Sequence, residues 1–129
     1  MIWLVGNKGM LGIEMQNALQ QKNLSFIATD VEVDICNIDK IREFLAVKEI
    51  EWIINCSAYT NVEKAEEEID LAFKINADGP RNLAIIAKEK NAKLIHISTD
   101  YVFDGEKSSL YFEEDEPDPQ NIYGLTKLK

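Results

Sequence analysis

The stretch Ile2-Trp3-Leu4-Val5-Gly6-Asn7-Lys8-Gly9-Met10-Leu11-Gly12 decides the fold. Residues 1 to 5 are an apolar run, and Gly6, Gly9 and Gly12 follow as G-x-x-G-x-x-G. From Met10 to Gln21, Leu11, Met15, Ala18 and Leu19 recur at helical spacing. The order is strand, tight turn, helix. Glycines at such a turn let backbone N–H groups approach a pyrophosphate, whose charge the positive end of the helix favours. A glycine-rich turn also serves plain strand-to-helix packing, so the loop needs support from the rest of the chain.

Working outward, a second apolar run from Leu24 to Ala28 ends in Thr29-Asp30. A helix is expected near Ile38 to Lys48, with Ile41, Phe44, Leu45 and Ile50 marking its buried side. Trp52-Ile53-Ile54 reads as a strand leading to Asn55-Cys56-Ser57-Ala58. From about Glu63 to Lys90, apolar residues at three- and four-residue intervals predict a long helical segment that Pro80 kinks or divides. Lys93 to Ser98 is the last clear strand, followed by an acidic loop with Pro117 and Pro119 and a closing segment, Ile122 to Lys129. Strands alternating with helices predict βαβ units, and right-handed crossovers place helices on both faces of a parallel sheet. The expected fold is therefore α/β, a doubly wound parallel sheet of the Rossmann type, with its phosphate site at the carboxyl ends of the strands.

Composition narrows the function. The 129 residues are long enough for one domain and short for a whole two-substrate enzyme. A net charge of -9, from 23 acidic against 14 basic residues, argues against nucleic acid as a partner. No stretch approaches the ~18 consecutive apolar residues of a membrane span, and the first residues carry no cationic region or cleavage site, so a cytoplasmic protein without a membrane partner is expected. Cys36 and Cys56 stand at a spacing that suggests neither zinc nor a disulfide, and no metal site is expected. His96, the single histidine, lies in an apolar run and reads as a sheet-face residue rather than a catalytic base.

Acid–base chemistry must then come from other side chains. Asp30 ends the second strand, 18 residues after Gly12, where a carboxylate can accept hydrogen bonds from an adenosine ribose. Its charge would repel a 2′-phosphate and favour NADH, while Lys8 in the glycine loop offsets it; NADPH and NADH both stay open. Tyr123 stands four residues before Lys127, one helical turn away on the same face. An ammonium so placed stabilises the phenolate that forms as the phenol passes its proton to a carbonyl while hydride arrives. Thr99, in Ser98-Thr99-Asp100-Tyr101 after the fourth strand, supplies a hydroxyl for the same carbonyl oxygen. Tyr-x-x-x-Lys alone is common, and its force here comes from its order after the glycine loop, Asp30 and Thr99.

Ser98-Thr99-Asp100-Tyr101-Val102-Phe103-Asp104-Gly105 and Pro119-Gln120-Asn121-Ile122-Tyr123-Gly124-Leu125-Thr126-Lys127-Leu128 resemble the dTDP-4-dehydrorhamnose reductases, extended short-chain dehydrogenase/reductases. Asn55-Cys56-Ser57-Ala58-Tyr59-Thr60, Lys64-Ala65-Glu66 and Asn76-Ala77-Asp78-Gly79-Pro80 agree, although Cys56-Ser57 stands where that family more often has two alanines. The resemblance implies that Gly9, Met10 and Leu11 touch the cofactor pyrophosphate, with Gly6 and Gly12 shaping the same loop. It implies Asp30 at the ribose, Asp34 and Ile35 at the adenine, and Ala58, Tyr59 and Thr60 on the route to the nicotinamide. Thr99 and Asp100 would contact a dTDP-sugar, with Thr99, Tyr123 and Lys127 as the catalytic group and Tyr123 and Lys127 also against the cofactor. The implied reaction reduces the 4-keto group of dTDP-4-dehydro-β-L-rhamnose, in the supply of cell-surface polysaccharide. Another sugar-nucleotide dehydrogenase and a non-enzymatic regulatory subunit are the alternatives.

Members of that family continue through more strands and a substrate domain. A helix of about two turns is marginal by itself, so turnover by these 129 residues alone is expected to be absent or very low. The fourth strand would present an unpaired edge, which leaves self-association as a homodimer open.

Overall fold

Each short apolar run becomes a strand and each stretch of helical spacing a helix. In the computed structural model, which describes residues 1–129, the strands are β1 (Ile2–Val5), β2 (Phe26–Thr29), β3 (Trp52–Asn55) and β4 (Lys93–His96). The helices are α1 (Met10–Gln21), α2 (Ile38–Phe44), α3 (Val62–Ala65), α4 (Ile69–Phe73), α5 (Gly79–Glu89) and α6 (Ile122–Leu128). The chain divides into two compact units, Met1–Ala58 with Asp78–Ile97, and Tyr59–Ala77 with Ser98–Lys129.

The first unit holds the sheet. All pairings are parallel and the order is β2-β1-β3-β4, with Val5 level with both Thr29 and Asn55. The chain winds outward from β1 to β2 on one side and to β3 and β4 on the other, so a topological switch point lies between the carboxyl ends of β1 and β3. Successive side chains of β1 point to opposite faces. Leu4 packs with Leu19, Ile54, Met15 and Phe26 under α1. Trp3 and Val5 pack with Ile41, Leu45, Leu83 and Ile86 under α2 and α5. Each such side chain, fully buried, contributes about 1.5–3 kcal/mol. The sheet is thus covered on both faces, as the doubly wound reading required.

The second strand runs Phe26–Thr29 rather than Leu24 to Ala28, the fourth stops at His96 rather than Ser98, and two helical segments also differ from the sequence reading. The second helix stops at Phe44 rather than Lys48, because lysine ammoniums take over its last carbonyls: Lys48 Nζ donates to Phe44 O and Lys90 Nζ to Leu45 O at 2.7 Å. The long helical segment is broken twice. It interrupts after Ala65, where Glu66 and Glu68 commit their carboxylates to Ile122 N and the Tyr59 hydroxyl, and it widens into a π-helical turn over Lys74–Asp78. Pro80, which has no N–H to give to the turn before it, is the second residue of α5 and directly follows that π-helical turn.

In the second unit, α6 packs against α3, α4 and a 3₁₀ turn at Asp100–Val102. That turn had no periodic signal in the sequence.

Candidate functional site

The glycine loop lies in the first unit, at the switch point. Gly6 has φ +79°, and a Cβ there would lie 2.7 Å from Ser57 N, so only glycine lets the chain after β3 come this close. Gly12 is buried at the first turn of α1, where a Cβ would lie 2.0 Å from Gly6 O. Gly9 is different. It is exposed at the N-cap of α1, and a Cβ there would meet only Gly6 O at 3.6 Å. Asparagine side chains cap α2, α3 and α6, whereas α1 has no side-chain cap and no acidic residue in its first turn. Its free N–H groups and positive dipole end therefore face solvent beside exposed Met10 and Leu11. This is the donor set a pyrophosphate requires, so the loop fits a dinucleotide.

The other first-unit candidates follow the ends of β2 and β3. Asp30, half-buried, comes directly after β2, and its N–H donates to Glu32 Oε1 at 2.9 Å. Asp34 is exposed and its Oδ1 accepts from Cys36 N. Ile35 lies in the core, and its carbonyl accepts from Asn82 Nδ2 at 2.9 Å. Asn55, 1% exposed, holds the chain before Ala58: its Oδ1 accepts from Ser57 N at 3.0 Å and Ser57 Oγ at 2.6 Å. Its Nδ2 meets His96 Nδ1 at 3.0 Å, so His96 stands on the sheet and hydrogen-bonds a loop-holding residue.

The second unit gathers Tyr59, Thr60, Thr99, Asp100, Tyr123 and Lys127. Thr99 caps the 3₁₀ turn, its Oγ1 accepting from Tyr101 N at 3.3 Å and donating to Asp100 Oδ1 at 3.2 Å. The Tyr101 ring meets the Tyr123 ring edge-on at 5.5 Å between centroids. Gly124 makes that approach possible, since a Cβ there would lie 2.1 Å from Tyr101 O. Tyr123 is half-buried; Lys127, one turn on, is only 8% exposed, and burial pulls its ammonium below the ordinary lysine value. Beside Asp100 an open cleft of about 300 Å³ is lined by Tyr101, Phe103, Asp104, Gly105, Gln120 and Asn121.

α6 has seven residues and does not rest on its own propensity. Asn121 Oδ1 accepts from Gly124 N at 2.7 Å, and Glu66 Oε1 from Ile122 N at 2.8 Å. Behind it, Asn76, 2% exposed, donates to Thr126 Oγ1 at 3.0 Å, and Thr126 Oγ1 donates to Tyr123 O at 2.8 Å. Asn76 also holds Tyr59 at both backbone groups, accepting from its N–H at 2.8 Å and donating to its C=O at 3.0 Å. Asn55, Asn76, Glu68 and Thr126 had no place among the candidate residues. The stretches containing Asn55, Asn76 and Thr126 carried the family resemblance, and that was their only signal.

Tyr59 is fixed at its ring end too, by donating to Glu68 Oε2 at 2.5 Å. The Glu68 carboxylate raises the Tyr59 phenol to about 12, and the same bond lowers the Glu68 carboxyl. Because the folded tyrosine value is raised, its contribution to stability is full below the ordinary 10.0 and is lost as pH rises through about 12. Phenolate absorbance during an alkaline titration should show the Tyr59 phenol ionising late, and moving toward its ordinary value in Glu68→Gln. An unchanged titration in that variant would remove the pair from the account.

A family model for the RmlD substrate binding domain matches residues 1–129. The chain belongs to this family. Among members and their neighbours, the dTDP-4-dehydrorhamnose reductase of Mycolicibacterium smegmatis is 43% identical over 129 residues, covering 98% of this chain and 39% of that protein. The crystal structure of a dTDP-4-dehydrorhamnose reductase from Clostridium acetobutylicum superposes with a TM-score of 0.94 at 48% identity, over 98% of this chain and 46% of that one. That of Bacillus anthracis, in complex with NADP, superposes at 0.93 with 40% identity, over 98% and 46%. The RmlD-family chain thus spans less than half the length of these relatives. They bear out the resemblance read from residues 98–105 and 119–128, and their structures share its parallel α/β fold. No helix is long and apolar enough to cross a membrane.

Proposed function

We propose that this chain is the dinucleotide-binding part of an NADPH- or NADH-dependent reductase of dTDP-4-dehydro-β-L-rhamnose, giving dTDP-L-rhamnose for cell-surface polysaccharide. The observation that carries the reading is α6: Tyr123 and buried Lys127 lie one turn apart on a helix packed against the Asp100–Val102 turn. Relatives named for this reduction, one with NADP bound, supply the substrate and cofactor class.

In this reading Gly9, Met10 and Leu11 offer N–H groups to the pyrophosphate, on the loop shaped by Gly6 and Gly12. Asp30 accepts from the ribose, Asp34 and Ile35 border the adenine, and Ala58, Tyr59 and Thr60 guide the nicotinamide. The bound cofactor supplies hydride. Tyr123 passes its phenolic proton to the ketone oxygen, Thr99 donates a hydrogen bond to that oxygen, and Lys127 stabilises the phenolate left behind. Low solvent access around Lys127 strengthens that effect, since charges interact more strongly where water is excluded. Asp100 contacts the sugar nucleotide. The protein works in the cytoplasm, and self-association as a homodimer belongs to this proposal.

Fluorescence titration with NADPH and NADH tests the cofactor half. A larger side chain at Gly9 meets only an ordinary contact inside the protein, so Gly9→Leu should stay folded while blocking the pyrophosphate, weakening both cofactors at least about tenfold. Equal binding by the chain and by Gly9→Leu would reduce the loop to a packing turn.

A further inference from the structure

Glu32, which the dinucleotide reading leaves aside, meets Lys8 of the glycine loop beyond β2. Glu32 Oε1 accepts from Asp30 N at 2.9 Å, while its Oε2 lies 3.4 Å from Lys8 Nζ. The backbone bond, more than the lysine, holds the Glu32 carboxyl below its ordinary value, so it is charged at neutral pH whether or not Lys8 is present. Lys8 is the one cation between Gly6 and Gly12. A 2′-phosphate at the Asp30 ribose would meet the Asp30 and Glu32 carboxylates and need a cation to offset them.

We infer that Glu32 is a cofactor-choosing residue: it engages Lys8 and so opposes a 2′-phosphorylated nicotinamide cofactor more than one with a free 2′-hydroxyl. The inference rests on reading the glycine loop as a dinucleotide site. NADPH must draw Lys8 away from Glu32 and sit beside a second carboxylate, whereas NADH leaves the pair intact. Both side chains are more than half exposed, so the pair itself is weak and moves the balance by no more than about fivefold. Removal of the carboxylate's repulsion adds to this.

The test is a fluorescence titration of the chain, Glu32→Gln, Lys8→Gln and the double variant with NADPH and NADH, at low and high ionic strength. Glutamine keeps an acceptor for Asp30 N while dropping the charge. Glu32→Gln should raise NADPH affinity relative to NADH about three- to tenfold, and salt should shrink that gain. In the Lys8→Gln background the gain should fall, since the two residues act through one contact. An unchanged cofactor ratio in Glu32→Gln overturns the inference, as does a full gain without Lys8. Binding of neither cofactor by the unsubstituted chain overturns the dinucleotide reading beneath it.

Discussion

Tyr123→Phe should lower keto-sugar reduction by about 10²- to 10⁴-fold, the range for losing a positioned general acid. The substitution deletes one oxygen and keeps the ring. The edge contact with Tyr101, the Asn121 cap and the Thr126 bond to Tyr123 O all survive it, so stability should change by less than about 1 kcal/mol. Because the chain covers 46% of the Clostridium acetobutylicum relative, the rate is best measured after grafting it onto the remaining length of that relative. Unaltered turnover in the graft carrying Tyr123→Phe would take the proton donor away from Tyr123. Loss of rate with loss of melting temperature would make Tyr123 a packing residue instead.

Gly12→Ala should be the most damaging single methyl in the first unit. The new Cβ would stand 2.0 Å from Gly6 O, 2.8 Å from Asn7 Cα and 2.9 Å from Gly6 C, all backbone atoms that cannot swing aside. Either α1 moves off the sheet, exposing Leu19 and Leu4, or the glycine loop is rebuilt. Overpacking costs about 1–3 kcal/mol where neighbours can adjust, so about 3 kcal/mol or more is expected where they cannot. On a net stability of about 5–15 kcal/mol this should be visible as a drop in Tm of roughly 10 °C or more. Gly105→Ala is the control, because its φ is +79° but nothing lies within 4 Å, leaving only the backbone term of about 1–2 kcal/mol. Similar losses from both would show that Cβ contact is not what excludes larger residues from position 12.

The two predictions rest on different kinds of information. Gly12 was legible in the sequence as the third glycine of G-x-x-G-x-x-G, at the start of the helical spacing from Met10, where strand-to-helix packing and a pyrophosphate site both call for glycine. Tyr123 and Lys127 were legible only as a spacing, and what supports them was not. Nothing in the order of residues says that Asn76 is buried against Thr126, that Glu66 closes the start of α6, or that Glu68 holds the Tyr59 ring. The helical signal from Glu63 to Lys90 even pointed away from these contacts, since a continuous helix would not have turned both glutamates to their partners. Local periodicity lost there to tertiary hydrogen bonds.

The sequence by itself determined the strand and helix order, the parallel doubly wound sheet, the glycine loop and the Tyr–Lys turn, because each follows from apolar period or from a backbone conformation that few residues allow. The tertiary structure decided which polar side chains are buried and what they hold: Asn55 on Ser57 and His96, Asn76 on Tyr59 and Thr126, and Glu32 between Asp30 and Lys8. A polar residue reads the same in sequence whether it faces water or a partner 50 residues away, as Thr126 is from Asn76, and only the packed chain distinguishes the two.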